Sequence, residues 1–107
     1  MPVVPFSTVY KRDSHFQRHG HQFGAANAIE YEQMADSFMF GVMNGTTQER
    51  LRPNGRMKNR MDFATIHFGS AEVARPIVAT FYIPHPDTIA RHGGAIQLFA
   101  DYCARPD

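Results

Sequence analysis

The 107-residue chain has no tryptophan and a single cysteine, Cys103. One thiol makes neither an intramolecular disulfide nor a cysteine zinc site, so Cys103 is expected to be a small buried hydrophobe near the C-terminus. No run of about 18 apolar residues exists, which excludes a membrane-spanning helix, and no membrane partner is expected. The start lacks a charged segment followed by an apolar one, so no secretory leader is read there and a cytoplasmic location is the expectation. Neither charge sign is in excess: 11 Lys and Arg stand against 10 Asp and Glu. With 43% hydrophobic and 20% charged residues, disorder and coiled coil both lose support. The length suits one domain, 1–107, with a core of its own.

The charge that is present is unevenly placed. Arg50, Arg52, Arg56, Lys58 and Arg60 fall in one stretch without an acid, whereas Glu30, Glu32 and Asp36 make the preceding segment acidic. A basic patch inside a near-neutral chain is the footprint of anion binding. The same patch also fits a solvated basic hairpin.

Three short segments alternate in the manner of strands, whose side chains change face at every residue. Arg56, Lys58 and Arg60 alternate with Met57, Asn59 and Met61; Thr65 and His67 with Ala64, Ile66 and Phe68; Thr80 and Tyr82 with Ala79, Phe81 and Ile83. An antiparallel sheet built from them is expected to have one core face and one face of cations, hydroxyls and imidazole. Pro53, Asn54 and Gly55 mark a hairpin turn between strands near 49–52 and 56–62. Gly69 is expected to end the next strand, 71–75 to be a loop, and 77–83 to be the last strand, stopped by Pro84 and Pro86.

Residues 1–10, with Pro2 and Pro5, suggest an extended lead-in pinned by Phe6. Ser14 is expected to cap a short helix to about Gln22. Asn27 followed by Glu30 resembles a capping box that opens a main helix over 28–43, closed by Asn44 and Gly45. Asp87 suits a further cap, and Ile96, Leu98, Phe99 and Tyr102 an amphipathic tail interrupted before by Gly93 and Gly94. The expected class is α+β, with N-terminal helices packed on a four- to five-stranded antiparallel sheet and a short helical tail over 85–107.

His15, His19 and His21 invite a metal or small-ligand reading, but there is no His-Glu-x-x-His and no cysteine pair, so no metal and no cofactor are expected. RNA cleavage needs a base for the 2′-hydroxyl, an acid for the leaving oxygen and groups that hold the phosphorane. His19 suits the proton transfer, helped by Arg18 and Lys11. Arg56, Lys58 and Arg60 suit phosphate clamping, Thr80 and Tyr82 donation to the non-bridging oxygens, and Thr65 and His67 share the polar face. A non-catalytic RNA-binding domain of the same fold, including a phage or prophage accessory, is the alternative.

The run from His15 to Gly24 with Arg18 and His19, the helix with Glu30, Tyr31 and Glu32, the Pro53-Asn54-Gly55 hairpin with Arg60 and Asp62, and the closing Thr80-Phe81-Tyr82 resemble colicin D and related tRNase toxin domains. These are similar to the wider barnase, EndoU, colicin and RelE group of metal-independent ribonucleases, many carried at the C-termini of contact-dependent growth-inhibition toxins. The resemblance covers a nuclease-like core over 11–84. It implies a tRNA-cleaving endonuclease that leaves a 2′,3′-cyclic phosphate, with His19, Arg60, Thr80 and Tyr82 as catalytic residues and Arg18 beside the histidine. Phe16 stands where those domains carry a further lysine, with Lys11 and Arg12 the nearest cations to replace it. A cognate immunity protein or antitoxin with an acidic patch is the implied partner, and delivery into a target-cell cytoplasm the implied route.

Overall fold

The computed structural model describes residues 6–106. Two N-terminal helices, α1 (Val9–His19) and α2 (Ala28–Phe40), are joined by a 3₁₀ turn (Gly20–Phe23). Strands β1 (Thr47–Leu51), β2 (Met57–Asp62), β3 (His67–Glu72) and β4 (Ile77–Tyr82) follow, then α3 (Pro86–Arg91) and α4 (Ala95–Cys103). The four strands form one antiparallel meander in chain order, β1-β2-β3-β4. This is the α+β class read from the sequence, with helices before the sheet and a helical tail after it.

Local chemistry places the elements. Thr8 rather than Ser14 caps α1, its hydroxyl accepting from the Lys11 amide at 3.0 Å, so the helix starts at Val9, well before His15, and takes up Val9 and Tyr10. The rest of the expected lead-in, 1–5, lies outside the described residues, but Phe6 is buried and pairs with Val78 of β4 as a lone parallel bridge. Asn27 caps α2 by accepting from the Glu30 amide at 2.8 Å. That helix stops at Gly41, not at Asn44 and Gly45, and Val42 is fully exposed. The Pro53-Asn54-Gly55 turn closes the β1–β2 hairpin, with Gly55 at φ 73° and its amide bonded to the Arg52 carbonyl at 2.9 Å. His85, not Asp87, caps α3, and Gly93 and Gly94 separate it from α4 at positive φ.

The third strand is displaced from its expected place. Asp62 gathers the 63–66 turn by accepting from the Ala64 amide at 3.1 Å and the Thr65 hydroxyl at 2.8 Å. Ile66 takes φ 60°, a left-handed conformation that a β-branched residue adopts only when its surroundings impose it. The chain therefore enters β3 only at His67 and continues through Gly69 to Glu72, where a loop was expected.

Both sheet faces are covered, which overturns the expectation of one core face and one polar face. Phe6, Tyr31, Ala35, Met39, Ala71, Val78 and Phe81 form the core under α1 and α2. Met61, Phe68, Leu98, Phe99, Tyr102 and Cys103 form a second cluster under α4. Cross-strand register assigns the faces. Arg60 lies opposite Gly69 and Gly69 opposite Phe81, on the α2 side; Met61 lies opposite Phe68 and Phe68 opposite Tyr82, on the α4 side. A register shift at Ser70/Ala71, where β4 carries the extra residue Ala79, puts Val78 and Phe81 on the α2 side with Thr80 and Tyr82 on the other. Gly69 is required where it stands, because a Cβ there would come within 2.5 Å of the Met39 sulfur.

Candidate active site

His15 and His19 stand one turn apart on α1, which packs against β4, the last strand of the sheet. Their ring centroids are 6.2 Å apart; His15 stacks on Phe6 at 5.3 Å and His19 on Tyr82 at 5.3 Å. His19 thus reaches the end of β4 at the residue that points to the α4 side of the sheet. Burial, seconded by the Arg18 guanidinium, holds the His19 imidazole below its ordinary value, so it is neutral at pH 7. Burial, with Arg18, His19 and Lys11 adding repulsion, lowers His15 to about 4. The Nδ1 atoms of both rings are buried and have no hydrogen-bond partner among the described residues. Phe16, at the place of the expected lysine, turns inward instead: its ring meets Tyr31 at 6.2 Å and fills the space a Cβ at Gly20 would need.

The floor beside His19 is the α4 side of β3 and β4. Thr80 and Ser70, directly opposite in register, share a hydroxyl–hydroxyl bond of 2.6 Å. Burial pushes the Tyr82 phenol well above its ordinary value, reinforced by its hydrogen bond with the Tyr102 hydroxyl and opposed by Arg105 and Arg52. The phenol therefore stays protonated, with its hydroxyl shared with that of Tyr102. Arg105 lies over the Tyr102 ring at 4.4 Å, and Arg52 donates to Asn59 at 3.1 Å, which in turn donates to the Cys103 sulfur at 3.5 Å. His19, Tyr82, Tyr102 and Arg105 form a string of contacts that joins α1 to the tail, with the Thr80–Ser70 hydroxyl pair and the Arg52–Asn59 pair further along the same sheet face.

The other expected residues are elsewhere. Arg60 is on the α2 side and its guanidinium is taken: it pairs with Glu49 at 2.7 Å and donates to the carbonyls of Phe38 at 3.0 Å and Gly41 at 2.7 Å. Lys58 shares Glu49 at 3.0 Å and sits over the Phe40 ring at 4.7 Å. Burial alone would raise the Glu49 carboxyl, but the hydrogen bonds from Arg60 and Lys58 hold it below its ordinary value. These two cations are structural because β2 alternates the other way from β4: the register puts Lys58 and Arg60 on the face of Phe81, not of Tyr82. Thr65 is bound to Asp62. His67 faces Phe23, Phe38 and Phe81 on the α2 side. Arg56 lies at the hairpin end, the opposite end of β2 from Asp62. Lys11 and Arg18 are exposed on α1, Lys11 in a groove with His15 and Arg75, Arg18 donating to the Ser14 carbonyl at 3.5 Å.

Sequence reading missed Arg52, Ser70, Tyr102 and Arg105. Ser70 fell just past Gly69, the expected end of its strand, and before the expected loop over 71–75. Tyr102 and Arg105 belong to the tail, where only amphipathicity was legible. Among the described residues no group of three His, Cys, Asp or Glu stands ready to hold a metal ion, and no helix is long and apolar enough to cross a membrane. No family model matches the sequence, and no curated protein is significantly similar to it.

Proposed function

We propose that the chain is a metal-independent endoribonuclease that cleaves RNA by attack of the 2′-hydroxyl on the adjacent phosphorus, with tRNA as its substrate. The observation that supports this most is the neutral His19 imidazole stacked on Tyr82, with Thr80 two residues back on the same strand face and Arg105 over the ring of Tyr102, the phenol's hydrogen-bond partner. A neutral imidazole accepts the 2′-hydroxyl proton at Nε2, where the substrate replaces the Gln22 side chain that hydrogen-bonds the ring, Nδ1 being buried. The 2′-oxygen attacks phosphorus, the bond to the 5′-oxygen breaks, and that oxygen takes its proton from solvent. The products are a 2′,3′-cyclic phosphate and a 5′-hydroxyl. Thr80 and Tyr82 donate to the non-bridging oxygens while Arg105 and Arg52 balance the charge that grows on the phosphorane. No step calls for a cofactor.

The likeness of the Arg18-His19 and Thr80-x-Tyr82 pairs to colicin D-like tRNase domains points the same way, and with it to an acidic immunity protein as partner. Purified protein incubated with total tRNA and EDTA is expected to give fragments with cyclic-phosphate ends, and His19→Ala to give none. Intact tRNA at micromolar wild-type protein overturns the proposal. The engagement of Lys58 and Arg60 by Glu49 favours a second reading, a non-catalytic RNA-binding domain. In that case wild type and His19→Ala bind RNA equally and neither cleaves it.

A further inference from the structure

On the side of the sheet away from Thr80 and Tyr82, a pocket of about 640 Å³ opens between the 3₁₀ turn, α2 and the ends of β3 and β4. Its volume is in the range of small-molecule sites. The walls are rings: Phe23 stacks on Phe81 with centroids 4.0 Å apart and planes 10° from parallel, and His67 meets Phe23 edge-on at 4.8 Å. Phe38 closes the set at 5.2 Å from Phe81. The rim is polar, formed by Gln33 and Ser37 on the exposed side of α2, and their side chains make no hydrogen bond to other described residues. No Lys or Arg lines the pocket and Glu30 does, so a phosphate is not its natural occupant.

The pocket adjoins the cleavage cluster. Gln22, which lines it, grips the chain just beyond Tyr82: its amide nitrogen donates to the Ile83 carbonyl at 3.2 Å, and its oxygen accepts from the Ile83 amide at 3.0 Å. Phe81 lines the pocket while the next residue, Tyr82, supports His19. A single-stranded nucleotide beside the scissile phosphate therefore finds an apolar, ring-walled recess around the end of β4.

We infer that this pocket is a nucleobase subsite, holding one unstacked base of single-stranded RNA between Phe23, Phe38 and His67 and reading its edge with Gln33 and Ser37. The inference rests on the ribonuclease reading for its substrate and assigns that substrate a splayed base. Single-stranded recognition characteristically pairs a stacking ring with hydrogen bonds to the base edge, and stacking tolerates any base while the edge contacts select among them. His67 supports this, since burial holds its imidazole below the ordinary value against the pull of Asp62, leaving a neutral ring that both donates and accepts.

The test is an NMR titration of the full chain with the four nucleoside 5′-monophosphates, with ribose 5-phosphate as control. Saturable shifts at Gln33, Ser37 and the His67 ring with the nucleotides, absent with ribose 5-phosphate, are expected. Ser37→Trp, which fills the mouth from an exposed helix position, should weaken binding at least tenfold, Gln33→Ala should alter the preference among bases, and His19→Ala should change neither. Shifts confined to α1 and Tyr82, or equal shifts with ribose 5-phosphate, overturn the subsite. So does wild-type binding in both Ser37→Trp and Gln33→Ala. Should RNA stay intact while nucleotides still shift His67, the nuclease reading falls and the subsite stands. Should RNA be cut while no nucleotide shifts His67, the reverse holds.

Discussion

The His19 ring lies on the Tyr82 ring, centroids 5.3 Å apart and planes 29° from parallel, which ties the last residue of the first helix to the last residue of the last strand. Positioning by stacking leaves the imidazole edge, not its face, for a substrate. Replacing His19 by Ala should lower RNA cleavage by roughly 10²- to 10⁴-fold, the usual share of a proton-transfer group. Affinity for RNA should hold within a few-fold, since a neutral ring contributes little to phosphate binding. Gel-based cleavage and filter binding on the same preparation separate the two effects; equal losses of both would show a binding role only.

The pH profile follows from burial. Because the His19 value is depressed, the neutral form already dominates at neutrality. Cleavage should climb as pH rises through that depressed value and be flat above it. Arg18→Gln removes a repelling charge, so the acid limb should move to higher pH. A limb unmoved by Arg18→Gln would argue that another group is the base.

Much of the fold was legible because its signals are local. Asn27 and Glu30, the Pro53-Asn54-Gly55 turn and the run from Ile77 each fix an element through contacts within a few residues. The sheet faces were not, because they depend on register. Alternation within β2 and within β4 is correct, but nothing local says that Arg60 shares a face with Phe81 rather than Tyr82; the pairing through Gly69 decides it. Asp62 and Ile66 likewise delay β3 through a side-chain network whose partner Thr46 lies 16 residues upstream. His19 meets Tyr82 on the strand face that also carries Thr80, whereas Arg105 and Tyr102 arrive through the packing of α4, which periodicity alone could not aim.

Arg60 offers a direct contrast with His19. Its guanidinium ties β2 to the end of α2 through the Phe38 and Gly41 carbonyls and balances Glu49. Arg60→Ala strands those acceptors and should cost about 2 to 4 kcal/mol, in the range for hydrogen bonds to a charged group and for a partly buried ion pair broken on one side. Urea unfolding should show the loss, while cleavage per folded molecule stays near wild type. Unchanged stability with lost cleavage would return Arg60 to the catalytic set.

Stability in mild acid should carry the mark of His15. Its folded value of about 4 lies below the ordinary 6.5, so between those limits the unfolded chain binds more protons and stability falls as pH falls. Below about 4 the contribution is fully lost. His15→Gln should make the fall in melting temperature between pH 6.5 and 4 shallower than in wild type, the lowered His19 and His67 supplying the slope that remains. The lowered Glu49 and Asp62 carboxyls act only further down, as pH drops through the carboxylate range. A wild-type slope retained in His15→Gln would assign the effect to another group.

Which face receives RNA is decided by salt. A cation that neutralises a phosphate releases a counterion, so removing it lowers the slope of log affinity against log salt by about 1. Arg105 and Arg52 are the cations whose charge acts on the Tyr82 phenol, and Arg105→Ala and Arg52→Ala should each weaken RNA binding and flatten that slope by about 1. Lys58 is 13% exposed and held by Glu49 and Phe40, so Lys58→Ala should leave the slope unchanged even where it lowers stability. Binding measured from low to moderate salt for the three variants checks this at a temperature where all are folded. A flattened slope for Lys58→Ala with none for the arginines would place the RNA on the α2 side, and His19 would then be stacked on Tyr82 for packing alone.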